Sequence, residues 1–257
     1  MKREFVFEAC ANSVASALAA QEGGAKRVEL CDNLHEGGTT PSAGCITAAR
    51  KRLSIALHVL IRPRGGDFLY DDIEWEIMKN DIRVCRELGA DGVVAGALKA
   101  DGSVDKKRME ELTAWARPMS VTFHRAFDVC RDPWAALEEI IEAGCDRILT
   151  SGQAAKAPDG VDLLEELVRR AGDRITILVG GGVHEGNIAK LIEKTHAWEY
   201  HGSAQKRVPS AMQFRRPNAP MSSIPNMSEW EIAVTDAERV RNIIITSLNQ
   251  WGVSSGE

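Results

Sequence analysis

Residues 5–31 read FVFEACANSVASALAAQEGGAKRVELC and contain one complete unit of the pattern that runs through this chain. A short apolar strand ends in Glu8 and Cys10, a helical stretch follows, and a second strand ends in Glu29 and Cys31. Neighbouring side chains on a strand point to opposite faces, so each Glu-x-Cys pair lies on one face. A strand, a crossover helix and a second strand predict a parallel sheet.

Segments with the same strand pattern recur along the chain, and chemically active residues collect at their ends. The eight segments are residues 5–10, 27–31, 55–62, 92–96, 121–125, 148–152, 175–179 and 198–203. Eight such units in about 250 residues are typical of a (β/α)8 barrel. The open, doubly wound sheet is the competing fold, and the chain lacks its glycine-rich dinucleotide motif. The sequence therefore predicts an α/β fold, a TIM barrel forming a single domain over residues 1–257.

One segment departs from this pattern. Residues 207–230 contain four prolines among scattered serines and asparagines. This composition predicts a long loop between the last barrel strand and a final helix over residues 236–251. Both a lid or interface element and a plain surface loop fit this composition.

The overall composition excludes several classes of protein. A net charge of -5 and an isoelectric point near 5.8 argue against a nucleic-acid partner or an anionic membrane surface. No apolar run approaches the roughly 20 residues of a membrane span. The six cysteines fall in strands, helices and turns, and no secretory signal pattern precedes them. We therefore expect reduced thiols in a cytoplasmic protein.

Strand alternation predicts an unusually polar barrel interior. The side chains expected to face the barrel axis include Glu8, Cys10, Glu29, Cys31, His58, Arg62, Thr122, His124, Glu199 and His201. Barrel interiors are normally filled with Val, Ile and Leu. Buried charges must pair with one another, with water or with a ligand. A set of internal salt bridges is the plainer interpretation, but the position of these groups at strand ends favours a ligand site.

The repeated Glu-x-Cys motif predicts two thiols close together at the barrel mouth. Sequential barrel strands lie about 4.8 Å apart, so matching strand ends would bring Cys10 and Cys31 together, with Glu8 and Glu29 one layer beneath. Two thiols in a reducing compartment suit a soft ion such as Cu(I) or Zn(II). Free cysteine is also a common buried packing residue, so both interpretations remain open at this point.

Glycine-rich turns follow strands seven and eight, where TIM barrels often bind phosphate. Such turns let backbone N–H groups approach an anion, although glycine is also used for steric reasons. Arginine side chains could assist phosphate binding or hold a substrate carboxylate. The candidate ligand- or anion-binding residues are Arg62, Arg125, Thr150, Gly181, Gly182, His201 and Ser203.

The same mouth could perform acid–base catalysis. Glu8, Glu29, His58 and His124 would supply the proton-transferring groups. The corresponding hypothesis is a lyase or isomerase that acts on a small phosphorylated or carboxylated metabolite. A hydrogen-bonded core histidine is the alternative for either imidazole.

Several long motifs at these strand ends resemble one known family. They are RVELCDNL at 27–34, EGGTTPS at 36–42, IRPRGGDFLY at 61–70, FHRAFD at 123–128, LTSG at 149–152 and GGG at 180–182. In these motifs the chain resembles the CutC copper homeostasis family. The resemblance implies a cytoplasmic TIM barrel, often a homodimer, that is linked to copper tolerance. It also implies Cu(I) binding at cysteines that match Cys10 and Cys31.

The leading hypothesis is therefore a cytoplasmic copper homeostasis protein of the CutC type, binding Cu(I) through Cys10 and Cys31 at the carboxyl end of the barrel. The alternative is the TIM-barrel lyase or isomerase, with Arg62 and Arg125 holding its anion. A third possibility, a scaffold that binds partners through residues 207–230, has no specific residue to support it.

Overall fold

Parallel strands close into a barrel in the part of the chain that the computed structural model describes, residues 4–216 and 228–255. The barrel strands are β1 (Val6–Ala11), β2 (Arg27–Leu30), β3 (Ala56–Leu60), β4 (Gly92–Ala95), β5 (Ser120–Phe123), β6 (Arg147–Thr150), β7 (Thr176–Val179) and β8 (Glu199–Gly202). Each strand pairs with the next in sequence, and β8 pairs with β1. The prediction of a single TIM-barrel domain is confirmed.

Helices alternate with the strands and cover the outside of the barrel. They are α1 (Val14–Glu22), α2 (Ala43–Arg50), α3 (Asp72–Glu87), α4 (Lys106–Ala116), α5 (Pro133–Glu142), α6 (Val161–Ala171), α7 (Ile188–Thr195) and α8 (Ala237–Ser255). Polar caps set where several of them begin. The Ser13 side chain accepts a hydrogen bond from the first turn of α1, and Asp71 forms a capping box with Glu74 at the start of α3.

Two apolar clusters lie on opposite sides of the barrel wall. The larger fills the space between strands and helices and includes Phe7 and Tyr200. The smaller lies inside the barrel and consists of Cys10, Cys31, Leu60 and Val94, with the partly buried Leu34 packed against it. Strand alternation therefore sends Phe7 outward to the helices and Cys10 inward, as the sequence predicts.

The segment after β8 differs in part from the predicted loop. Strands β9 (Gln205–Pro209) and β10 (Glu231–Thr235) form an antiparallel pair beside the barrel, so residues 207–209 are strand. Residues 217–227 of the predicted loop lie outside the described residues. The final helix is present as α8. Among the helices of the described residues, none is long and apolar enough to cross a membrane.

Candidate metal and ligand site at the barrel mouth

A buried ion-pair network fills the lower part of the barrel. Arg27 at the start of β2 donates through Nε to Glu8 and through Nη2 to Glu199. Arg147 at the start of β6 donates from Nε to the same Glu199 carboxylate at 2.8 Å and from Nη1 to the Ser120 hydroxyl at 2.6 Å. The two cations neutralise the two carboxylates, which is the condition for burying them.

Glu8 connects this network to His201 on β8. Oε1 of Glu8 lies 2.8 Å from Nδ1 of His201, and Nε2 of His201 lies 3.4 Å from the Glu29 carboxylate. Burial alone would raise the pKa of Glu8, but the charge of Arg27 and the hydrogen bond to His201 hold it well below its usual range. A carboxylate at Nδ1 fixes the imidazole ring and directs Nε2 to other ligands, as in many metal sites.

The remaining titratable groups near His201 have shifted pKa values as well. Burial alone would lower the pKa of His201, but hydrogen bonding to Cys10 and Glu8 and the charge of Glu29 raise it well above its usual value. Burial raises the pKa of Glu29. The cluster therefore combines the imidazolium of His201 with one carboxyl group of lowered pKa, Glu8, and one of raised pKa, Glu29. Strongly shifted pKa values of this kind are typical of functional sites.

The two thiols predicted from the Glu-x-Cys repeat are adjacent. Sγ of Cys10 lies 3.6 Å from Sγ of Cys31, and both side chains are buried. Hydrogen bonding to Cys31 and burial raise the pKa of Cys10 well above its usual value. Ligand atoms of Cys10, Glu29 and His201 also lie within 4.8 Å of one another. Cys10 therefore belongs both to the thiol pair and to the group that contains the imidazole, whereas Cys31 belongs only to the pair.

The predicted layering of the carboxylates is wrong in one respect. Cys10 is in register with Glu29, and Glu8 is in register with Arg27. Glu29 therefore lies level with Cys10 instead of beneath it, while Glu8 lies deeper. The reason is the stagger between adjacent strands that barrel closure requires.

Two other histidines are held neutral inside the barrel. Burial lowers the pKa of both His58 and His124 to about 3, and the charge of Arg62 contributes at His124. His58 Nδ1 lies 3.8 Å from Glu8, and its ring fits against Gly92, where an added Cβ would lie 2.5 Å from Nε2. Nδ1 of His124 accepts a hydrogen bond of 3.2 Å from the Ala126 N–H.

Arg62, two residues after the end of β3, fastens two long loops over the barrel mouth. Its Nη1 donates to the carbonyls of Glu36 and Gly38, both at 2.8 Å, and its Nη2 donates to the Gly66 carbonyl at 2.6 Å. The guanidinium also lies 5.0 Å from the centre of the Phe68 ring. These contacts fix the position of the guanidinium, because two of the carbonyls belong to the loop after β2 and the third belongs to the loop after β3.

Asp128, in a short 3₁₀ helix after β5, organises the loop that follows β6. It accepts hydrogen bonds from the Thr150 hydroxyl at 2.5 Å, from Ser151 and from the Gln153 N–H, and it pairs with Nε of Arg125 at 2.6 Å. Arg125 also donates to the Ser151 hydroxyl. Thr150 and Arg125 are therefore both engaged with the protein itself.

An open cavity of about 420 Å³ lies above these groups at the barrel mouth. The predicted site residues among its lining are Cys10, Glu29, Arg62, His124, Arg125, Gly181, Gly182, His201 and Ser203. Glu8, Cys31, His58 and Thr150 do not line it. Gly181 is required for two reasons. Its φ of +96° is a conformation that other residues rarely adopt, and an added Cβ would lie only 2.9 Å from Cβ of Ser151.

Three important residues were missed by the sequence analysis. Arg27 and Arg147 neutralise the buried carboxylates, and Asp128 holds the loop after β6. Strand alternation could have found Arg27, because it has the same parity as Glu29. Asp128 falls within the FHRAFD motif, but no local pattern indicates its role in the loop after β6, because its partners there lie more than twenty residues further along the chain.

The fold and site together define a TIM-barrel protein with a thiol, imidazole and carboxyl cluster at the carboxyl end of its strands. The CutC family model matches residues 5–206. The chain therefore belongs to the CutC family.

Curated relatives extend this match over most of the chain. A family protein CutC of Chromobacterium violaceum is 55% identical over 236 residues, covering 92% of this chain and 95% of that protein. The human copper homeostasis protein cutC homolog is 46% identical over 239 residues, covering 93% of this chain and 88% of the human protein.

Solved structures agree with the fold. The crystal structure of a CutC protein from Streptococcus agalactiae superposes with a TM-score of 0.74 at 35% identity, covering 77% of this chain and 98% of that chain. Phosphoribosylanthranilate isomerase from Thermotoga maritima superposes with a TM-score of 0.58 at 10% identity, covering 95% of this chain and 99% of that chain. The second likeness is one of fold alone.

Proposed function

We propose that this CutC family protein binds Cu(I) at the barrel mouth through the thiolates of Cys10 and Cys31, with Nε2 of His201 as a third ligand. Binding releases the two thiol protons and the Nε2 proton of His201 to solvent, because all three ligand atoms must be deprotonated. The observation that carries the proposal is the 3.6 Å separation of the two Sγ atoms, together with the position of the Cys10 Sγ within 4.8 Å of ligand atoms of His201 and Glu29. Thiolate and imidazole are ligands that suit Cu(I). The Glu8 carboxylate orients the imidazole of His201, as carboxylates do for ligating histidines in many metal sites.

The names of relatives support copper as the cargo. The human relative is described as a copper homeostasis protein, and it is 46% identical to this chain. The six cysteines are all free thiols in the structure, as a copper-binding role in the reducing cytoplasm would require. A cytoplasmic homodimer is part of the proposal.

A titration of the reduced, metal-free protein with Cu(I) against a competing chelator tests it. We expect one tight equivalent, its loss in Cys10→Ser and in Cys31→Ser, and roughly tenfold weaker binding in His201→Gln. Cys45→Ser is the matched control, because Cys45 is only half-buried on α2 and should leave the affinity unchanged. Absence of binding, or unchanged binding in the double variant of Cys10 and Cys31, would refute the site.

A second candidate function is favoured by the size of the cavity. A volume of about 420 Å³ is far more than one metal ion occupies and falls within the range of small-molecule sites. Under this alternative the protein is a lyase or isomerase, in which Glu29 and His124 transfer protons to a small phosphorylated or carboxylated metabolite. NMR turnover assays on such metabolites with the wild-type protein and Glu29→Gln test it, and catalysis that is unchanged in Glu29→Gln would count against it.

A further inference from the structure

Arg62 is a buried cation that lines the cavity and has no acidic partner among the residues that the structure describes. Its exposed fraction is only 4%. The neighbouring arginines differ, since Arg64 pairs with Asp67 and Glu74, and Arg125 pairs with Asp128. In residues 4–216 and 228–255, no carboxylate lies within ion-pair distance of the Arg62 guanidinium. A buried charge of this kind is costly unless something compensates it.

The hydrogen bonds of Arg62 hold the guanidinium in place but do not neutralise it. Three of its five N–H donors bind main-chain carbonyls, and Nε has no partner in the described part of the chain. Carbonyl dipoles reduce the cost of burial, while the full positive charge remains beside the cavity. The Phe68 ring, 5.0 Å away, adds an apolar wall.

His124 supplies a second donor on the same side of the cavity. Its Nδ1 accepts the Ala126 N–H, so the neutral ring carries its proton on Nε2. That Nε2 is buried and has no acceptor among the described residues. The centres of the His124 and Phe68 rings lie 4.8 Å apart, and the Arg62 guanidinium contacts the same Phe68 ring. The site thus combines one fixed charge with one neutral N–H donor.

We propose that the cavity binds a small organic monocarboxylate, whose carboxylate is the counterion of Arg62 and whose apolar body packs against Phe68, Leu60 and Leu34. All three apolar residues line the cavity. A single uncompensated positive charge matches a monoanion, whereas a phosphate dianion would leave a charge in excess. The proposal deepens the enzyme alternative by naming the class of its ligand, and it does not depend on metal binding.

Calorimetric titration of the reduced protein in the presence of a chelator tests the proposal apart from Cu(I). The probes are acetate, propanoate and phenylacetate, with phenylacetamide as a neutral match for phenylacetate and inorganic phosphate as the dianion. We expect carboxylate affinity to increase with the apolar body, and phenylacetamide and phosphate to bind at least tenfold more weakly than phenylacetate. Arg62→Gln should lose at least tenfold in phenylacetate affinity. Arg64→Gln, on the same loop but paired and outside the cavity, should not.

Since Arg62 also fastens two loops, a measurement on the wild-type protein is needed. The Nε–Hε NMR signal of Arg62, assigned from its absence in Arg62→Lys, should shift on titration with phenylacetate and stay fixed with phenylacetamide. Equal binding of the acid and the amide would overturn the proposal, as would an unmoved Arg62 signal or no response to any carboxylate of the series. Each of these results leaves the Cu(I) proposal standing, because no metal is present.

Discussion

Arg27 and Glu8 lie directly opposite each other in the register of β1 and β2, and their side chains form a buried ion pair beneath the cavity. Arg27 also donates from Nη2 to Glu199, so its guanidinium bridges the two carboxylates that Arg27 and Arg147 together neutralise. Glu8 in turn holds His201, the proposed third ligand to copper. The lower network therefore stabilises the fold and fixes the geometry of the mouth above it.

Replacement of Arg27 should destabilise the protein strongly. Arg27→Met would leave Glu8 and Glu199 buried with less compensation, and removing one partner from a buried pair costs about 3–5 kcal/mol. Urea unfolding at pH 7 measures the loss. Arg83→Met removes an exposed helical pair with Glu87 and should leave the unfolding curve nearly unchanged. Similar midpoints for the two variants would contradict the role given to Arg27.

His58 and His124 should make the protein less stable in acid. Burial lowers the pKa of each to about 3, whereas an unfolded imidazole titrates near 6.5. Between these values the unfolded chain binds protons that the folded chain does not. The free energy of unfolding should therefore fall as the pH drops from about 6.5 toward 3, by up to about 1.4 kcal/mol per pH unit for each histidine.

Glu8 and His201 modify this pH dependence in opposite senses. Stability from Glu8, whose pKa is lowered, is also lost as the pH falls. Stability from His201, whose pKa is raised, is present below about pH 6.5 and is lost as the pH rises through its folded pKa. NMR titration of the ring signals checks the assignments directly. If the ring signals of His58 or His124 titrate with a midpoint near pH 6.5, the lowered pKa of that histidine is contradicted.

Much of the barrel and its mouth could be predicted from strand alternation. The parity of the residues in β1 and β2 correctly placed Glu8, Cys10 and Glu29 inside, because a barrel strand has only two faces. The same rule extends to Arg27 and could have predicted the ion-pair network. The first residues of the strands carry no functional signal of their own, because the active sites of TIM barrels lie at the carboxyl ends of the strands.

Other features depend on relationships that a single sequence does not contain. The stagger that sets Cys10 level with Glu29 follows from closure of the whole barrel, not from either strand. The pairing of residues 205–209 with residues 231–235 joins strands separated by a proline-rich segment, so local composition predicted only a loop. The function of Asp128 likewise depends on contacts with a distant loop.

Gly96, immediately after β4, should be essential for the position of His124. An added Cβ there would lie 2.7 Å from Nδ1 of His124, so Gly96→Ala must displace the buried ring and its hydrogen bond from Ala126. We expect a loss of about 1–3 kcal/mol in unfolding free energy. Gly44→Ala, at an exposed site in α2 with nothing closer than 3.8 Å, should instead stabilise by about 0.5–1 kcal/mol. If Gly96→Ala and Gly44→Ala change the unfolding free energy in the same direction, the role given to Gly96 is wrong.

Asp128→Asn should loosen the loop after β6 without disturbing the thiol pair. Asparagine replaces one carboxylate oxygen with an NH2 group, which would face the Ser151 hydroxyl and the Arg125 guanidinium, both of which donate to Oδ2. Loss of hydrogen bonds to a charged, largely buried acceptor costs about 1.5–3 kcal/mol. Hydrogen exchange should therefore accelerate at the Ser151 and Gln153 amides. The Cu(I) affinity should stay within about twofold of wild type, since Cys10 lies on β1 and Cys31 lies directly after β2. Unchanged protection of both amides would show that the loop is held by something other than Asp128.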